Sequence, residues 1–145
     1  MVDDVVFNLI PLEEMMKERN ISATKCYSGA EAVRMYTSRL SAQCCESTYR
    51  VVLTDIQMPE MDGFEVSKTI NYIKKYHGSS DEQYNYLNKY KSSRKCPVVA
   101  VTAFQGDKIE SQAKEAGMIK VLYKPVNAES LNQILDQSLW LPVCV

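Results

Sequence analysis

Three short apolar runs alternating with amphipathic stretches predict an α/β fold, a doubly wound parallel sheet with helices on both faces. The runs are Val51-Val52-Leu53-Thr54, Val98-Val99-Ala100-Val101 and Ile119 to Tyr123. Each is too short for a helix, and apolar residues at consecutive positions indicate burial on both faces, as in parallel strands. Their alternation with helical patterns indicates crossover connections, and 145 residues suffice for one domain with its own core.

The elements follow in order. Leu9 to Arg19 reads as a first helix only if Pro11 lies in its first turn, where the missing N–H costs nothing. Ile21 to Tyr27 is a weaker strand candidate. Ser28 and Glu31 are spaced as a capping box ahead of Ala32, Val33 and Tyr36, which sets a helix from about Gly29 to Leu40. The strand around Leu53 comes next, and after Gly63 the residues Phe64, Ile70 and Ile73 share one helical face. The polar, tyrosine-rich stretch 77–95 exceeds what a minimal domain needs and is expected to be an insertion between the third helix and fourth strand. Beyond the strand at Val98, Ala113 lies in a helix that Gly117 can end. After the final strand, Asn127 can cap a last helix burying Leu131, Ile134 and Leu135.

Composition removes several function classes. A net charge of −1 provides no global field for nucleic acid or membrane, and no apolar run is long enough to span a bilayer. With no basic, apolar leader at the start, a cytoplasmic setting is expected. Five cysteines without a C-x-x-C argue against both a disulfide framework and a zinc site. His77, the only histidine, lies in a polar stretch and reads as a surface residue.

In an open parallel sheet, ligands bind beyond the carboxyl ends of the strands. Asp55, Thr102 and Lys124 each fall at or directly after the end of a strong strand, and Asp3-Asp4 stand where an earlier strand would end. Three converging carboxylates repel one another unless a cation sits among them, and Mg²⁺ suits such a site because it prefers oxygen ligands and keeps several waters. A lysine and a hydroxyl in the same cleft can hold the oxygens of a phosphoryl group in transfer.

The segment VVLTDIQMPEMDGFE, Val51 to Glu65, resembles the phospho-acceptor segment of response-regulator receiver domains. The acidic pair in VDDVVFNLI, the hydroxyl closing the strand in VVAVTAF and the lysine of LYKP occur in the family's order, so the resemblance covers residues 1–145 apart from 77–95. It is closest in style to receivers of hybrid histidine kinases. The resemblance implies a five-stranded, flavodoxin-like sheet of order 2-1-3-4-5. It makes Asp55 the acceptor of a phosphoryl group from a phosphohistidine, and Thr102 and Lys124 its partners in an Mg²⁺-dependent transfer, with Mn²⁺ as a substitute. The metal ligands would be Asp4, Asp55 and the Gln57 carbonyl, with Asp3 acting through water, and the Lys124-Pro125 bond would be cis. A histidine kinase or histidine phosphotransfer protein is the implied partner, with homodimerisation on phosphorylation a further option and no direct nucleic-acid or membrane contact.

Two departures modify what carries over. Val121 occupies a position where the family often has an aromatic switch, and Phe104 stands where bulk can shield the site from water. The resemblance implies a signalling domain that catalyses its own phosphorylation and dephosphorylation, not a turnover enzyme. An aspartate-based phosphatase usually carries a second Asp two residues after its nucleophile, and Gln57 is there instead. A pseudo-receiver that binds partners without phosphorylation would not need the full set of Asp3, Asp4, Asp55, Thr102 and Lys124. Only Met1 and Val2 precede Asp3, so the first strand is expected to be nearly absent, as in a fragment or a late-starting gene model. The residues after Leu139 leave no room for an output domain, which suggests a stand-alone receiver or one cut from a larger protein.

Overall fold

The structure, a computed structural model, describes residues 1–41, 49–76 and 96–139. In chain order its elements are α1 (Val6–Lys17), α2 (Gly29–Ser41), β1 (Val52–Asp55), α3 (Gly63–Tyr76), β2 (Val98–Thr102), α4 (Asp107–Glu115), β3 (Lys120–Tyr123) and α5 (Ala128–Leu139). The proposed insertion at 77–95 with His77, and Cys44, Cys45 and Cys144, lie outside the described residues.

The three strong runs become a parallel sheet in the order β1-β2-β3, with Val52 opposite Val98 and Val99 opposite Lys120. All residues of β1 and β2 are buried, which is why they read as continuous apolar runs. Val2 forms parallel bridges to both Cys26 and Thr54, so the first few residues lie between the weak candidate segment and β1. Ile21 to Tyr27 therefore contributes a bridge at Cys26 where the sequence suggested a full strand. The last strand begins at Lys120, one residue later than expected, and leaves Ile119 56% exposed.

Side chains alternate between the two faces of the sheet and build two cores. Val52, Val98 and Ala100 pack with Ala32 and Tyr36 of α2, Val66 and Ile70 of α3, and Ala113 of α4. Leu53, Val99, Val101 and Leu122 pack with Leu12 and Met16 of α1 and Leu131, Ile134 and Leu135 of α5. Helices thus cover both faces, with ~1.5–3 kcal/mol gained per large apolar side chain fully buried.

The helix starts show their caps. Glu31 N–H donates to Ser28 Oγ at 3.2 Å while Glu31 accepts from Tyr27 N–H at 2.7 Å, and Ser130 N–H donates to Asn127 Oδ1 at 2.7 Å. Gly117 follows α4 with φ 77, a conformation glycine adopts at no steric cost. The first helix departs from expectation. It begins at Val6, three residues earlier than predicted, so Pro11 lies inside it rather than in its first turn. Asp3 accounts for the early start, because its Oδ1 accepts from Val5 N–H at 2.9 Å and from the Asn8 side-chain amide at 3.0 Å. The helix runs through Pro11 at the loss of one backbone bond to Phe7, near an end where the ladder is already incomplete.

Candidate functional site

Asp55 is the last residue of β1, Thr102 the last of β2, and Lys124 follows β3 directly. Asp3 and Asp4 follow the bridging residue Val2, whose N–H donates to Leu53 O at 2.8 Å and whose carbonyl accepts from Asp55 N–H at 2.8 Å. Parallel pairing therefore brings all five to one edge of the sheet. One carboxylate oxygen from each of Asp3, Asp4 and Asp55 lies within 4.8 Å of the others.

Lys124 stands between two of these acids. Its Nζ is 2.7 Å from Asp3 Oδ2 and 3.0 Å from Asp55 Oδ2. The lysine is aligned by its own backbone, since its N–H donates to Thr102 O at 2.8 Å, and the Lys124-Pro125 bond is cis as expected. Asp55 Oδ1 accepts from Ile56 N–H at 2.8 Å. Asp3 and Asp55 are buried, 2% and 8% exposed, whereas Asp4 is open to solvent.

Burial pushes the Asp55 carboxyl above its ordinary value; the bond and charge of Lys124 oppose the rise, and the neighbouring Asp3 charge adds to it. For Lys124, burial disfavours the ammonium, but bonds to Asp3 and Asp55 outweigh it and hold the lysine above its usual value. The lysine is thus a fixed cation beside two desolvated carboxylates.

A cleft of about 660 Å³ opens over this edge, lined among others by Asp4, Asn8, Asp55, Gln57, Phe104 and Lys124. Gln57 is exposed in the loop after β1, and Phe104, 50% exposed, forms part of the rim. Thr102 is fully buried; its hydroxyl accepts from Phe104 N–H at 3.1 Å. Of the predicted residues, the structure gathers Asp3, Asp4, Asp55 and Lys124, sets Gln57 in the same cleft and keeps Thr102 beneath it. The donor set fits a hard divalent cation: three carboxylates at one edge, one of them open to solvent, with a lysine as counter-charge.

Two features of the site escape the sequence reading. Asp62 and Glu65 form a capping box at the start of α3, with bonds of 2.8 and 3.1 Å; the S/T/D-x-x-E spacing could have revealed it. Asn8 bonds Asp3, and a spacing of five residues across a turn into a helix gives no signal for such a contact.

Comparison with known proteins agrees with this geometry. A family profile described as the response regulator receiver domain matches residues 1–78. The chain is 26% identical over 153 residues to the probable histidine kinase 1 of Oryza sativa subsp. indica, an alignment covering 96% of this chain and 15% of that kinase's length. Among solved structures, it resembles the receiver domain of the histidine kinase CKI1 from Arabidopsis thaliana complexed with Mg²⁺. That match has a TM-score of 0.72 and 25% identity, covering 94% of this chain and 87% of that one. The receiver domain of the Saccharomyces cerevisiae response regulator Ssk1, in co-crystal with the histidine phosphotransfer protein Ypd1, shares the fold. Its TM-score is 0.71 at 24% identity, with 95% and 86% coverage. With a profile match over more than half its length and the acidic triad and lysine gathered at the ends of parallel strands, this chain belongs to the response regulator receiver domain family.

Proposed function

We propose that Asp55 accepts a phosphoryl group from a phosphohistidine in a two-component phosphorelay. The observation that carries this reading is the Asp3–Lys124–Asp55 arrangement, a carboxylate nucleophile held 3.0 Å from a fixed ammonium beside two further acids. In the transfer the P–N bond of the phosphoimidazole breaks, a P–O bond to an Asp55 oxygen forms, and the imidazole departs with the electron pair. Lys124 then turns from pairing with Asp55 to neutralising the incoming phosphoryl oxygens. Asp55 Oδ1, bonded to Ile56 N–H, keeps the carboxylate oriented throughout. Thr102 is the hydroxyl expected to exchange its Phe104 N–H contact for the phosphoryl group. Reversal by water makes the domain self-resetting, with Gln57 and Phe104 on the water's approach.

Asp4, Asp55 and the Gln57 carbonyl would hold Mg²⁺ or Mn²⁺, with Asp3 contributing through water. When bound, the cation neutralises the charge gathered as carboxylate and phosphoryl meet. The Mg²⁺ complex of the similar CKI1 receiver supports this assignment. The full sheet order we infer is 2-1-3-4-5, supported by the two bridges of Val2, which put the first residues between Cys26 and β1.

The donor we infer is a histidine phosphotransfer protein or a kinase's histidine domain, by analogy with the Ssk1 receiver and Ypd1. Support comes from the α1 edge of the cleft, where Val6, Phe7 and Ile10 are 51%, 79% and 46% exposed; an apolar surface beside the acceptor suits transient docking. No described helix is long and apolar enough to cross a membrane, and a cytoplasmic setting is part of the proposal. Asp55→Asn tests the whole reading. Labelling from a phosphorylated histidine donor in Mg²⁺ is expected to disappear in this variant, and labelling at the wild-type rate would overturn it.

A further inference from the structure

Asp3 is the most buried of the three clustered acids, and its carboxylate is held from three directions. Oδ2 takes the Lys124 ammonium at 2.7 Å, while Oδ1 accepts from Val5 N–H at 2.9 Å and from Asn8 Nδ2 at 3.0 Å. An Asp side chain turns easily about its last torsion, where the wells are broad, so one bond to Oδ1 fixes its distance but not the plane of the group. The Asn8 amide supplies the second. It arrives from the first turn of α1, whereas Val5 N–H precedes that helix, so together they constrain the rotation that would carry Oδ2 away from Lys124 and Asp55.

The choice of an amide matters. Lysine or arginine at position 8 would neutralise Asp3 and compete with Lys124 or a metal for it, and another carboxylate would repel it. An amide donates without adding charge, so Asp3 keeps its full attraction for whatever cation the cleft holds. Asn8 also lines that cleft alongside Asp4, Asp55 and Gln57.

The geometry points to Asn8 as a positioning residue for the acidic pair: its side-chain amide sets the plane of the Asp3 carboxylate and thereby the affinity of the cleft for its divalent cation. This rests on the phospho-acceptor reading and adds to it a residue outside the acceptor, acid, hydroxyl and lysine set. Partners that orient a metal-binding group typically contribute 10–100-fold in metal affinity.

The test is calorimetric titration with Mg²⁺ alone on the full 145-residue chain. Asn8→Ala is expected to weaken Mg²⁺ binding by about tenfold. Lys17→Gln, in the last turn of the same helix with its side chain 58% exposed, is expected to leave it unchanged. In phosphorylation by a small acyl phosphate, the Asn8→Ala defect should be large at limiting Mg²⁺ and vanish at saturating Mg²⁺, a pattern that general loosening of the fold would not give. Asn8→Gln, which keeps the amide one methylene further out, should recover part of the affinity, and it carries the test if the alanine variant melts too low to titrate. A folded Asn8→Ala variant binding Mg²⁺ within about twofold of wild type would overturn the assignment, as would a rate defect that persists at saturating Mg²⁺. Wild-type protein that fails to bind Mg²⁺ would overturn both this inference and the reading beneath it, whereas unchanged binding in the variant alone removes only Asn8.

Discussion

Lys124 reaches both buried acids of the site, and the charge balance around it governs how stability depends on pH. Burial raises the Asp55 carboxyl, Lys124 pulls it back and Asp3 pushes it up again, leaving it above its ordinary 3.8. A carboxyl raised by folding favours the folded state when protonated and works against it when ionised. In chelator at neutral pH, Asp55→Asn is therefore expected to melt higher than wild type. The difference should shrink as pH falls through the raised value, where wild-type Asp55 takes up its proton. Paired melting curves from pH 7 to 4 check this, and a less stable variant at pH 7 would mean the lost Lys124 contact outweighs the relieved charge. Asp55, Thr102 and Lys124 were legible because each ends a strong strand. Asn8 was not, since its role depends on where the turn after Asp4 directs α1.

Between Asp55 and α3 the chain has almost no slack. Gly63 N–H donates to Ile56 O at 2.9 Å, and a Cβ added at Gly63 would lie 2.1 Å from the Asp55 carbonyl oxygen. The obstacle is backbone, so it cannot swing aside as a flexible side chain would. The Met-Asp-Gly motif was visible as a pattern, but the reason for its glycine is this close approach, which spacing alone does not disclose. Gly63→Ala is expected to cost about 1–3 kcal/mol in denaturant unfolding, as overpacking does. It should also slow phosphorylation, because relief of the clash shifts the strand end that carries the acceptor. Normal stability together with normal labelling would show that α3 can retreat without moving Asp55. The first helix shows the opposite limit of legibility. A proline argued for a start near Leu9, yet Asp3 begins the helix at Val6 through contacts with Val5 and Asn8 that only the fold brings about.

At the scale of the molecule, the two cores on opposite faces explain why the sheet was readable: strands buried on both sides are apolar along most of their length, as Val52-Leu53 and Val98 to Val101 are, and the polar residues Thr54, Asp55 and Thr102 come only at the strand ends. The least readable part is the side of the sheet beyond β1, where Val2 bridges both Thr54 and Cys26 without forming a strand. Val2 bonds to Leu53 and Asp55 on one side, while the Met1 carbonyl accepts from Cys26 N–H at 2.8 Å on the other. Behind them the Met1 amine donates to Thr24 O at 2.7 Å, in surroundings whose burial lowers its pKa. Next to it lies a cavity of about 330 Å³ lined by apolar Met16, Ile21, Leu53 and Leu135 together with polar Asn20, Ser22, Thr24 and Arg50, and the buried Tyr49 and Ser138 hydroxyls at its wall lack hydrogen-bond partners. Placing four or five β-branched residues ahead of Met1 would replace the desolvated amine with an amide, fill the cavity and add ladder bonds to both neighbours. At ~1.5–3 kcal/mol per large side chain fully buried, even one or two well-seated residues should raise the melting temperature by several degrees. Because Asp3 follows Val2 directly, a firmer strand should also fix the acidic pair, so Mg²⁺ affinity should rise with stability. A Gly/Ser extension of equal length separates strand formation from mere length and should change neither quantity. If the β-branched chain melts and binds Mg²⁺ no better than the Gly/Ser one, Met1 to Asp3 already supply all the strand the site requires.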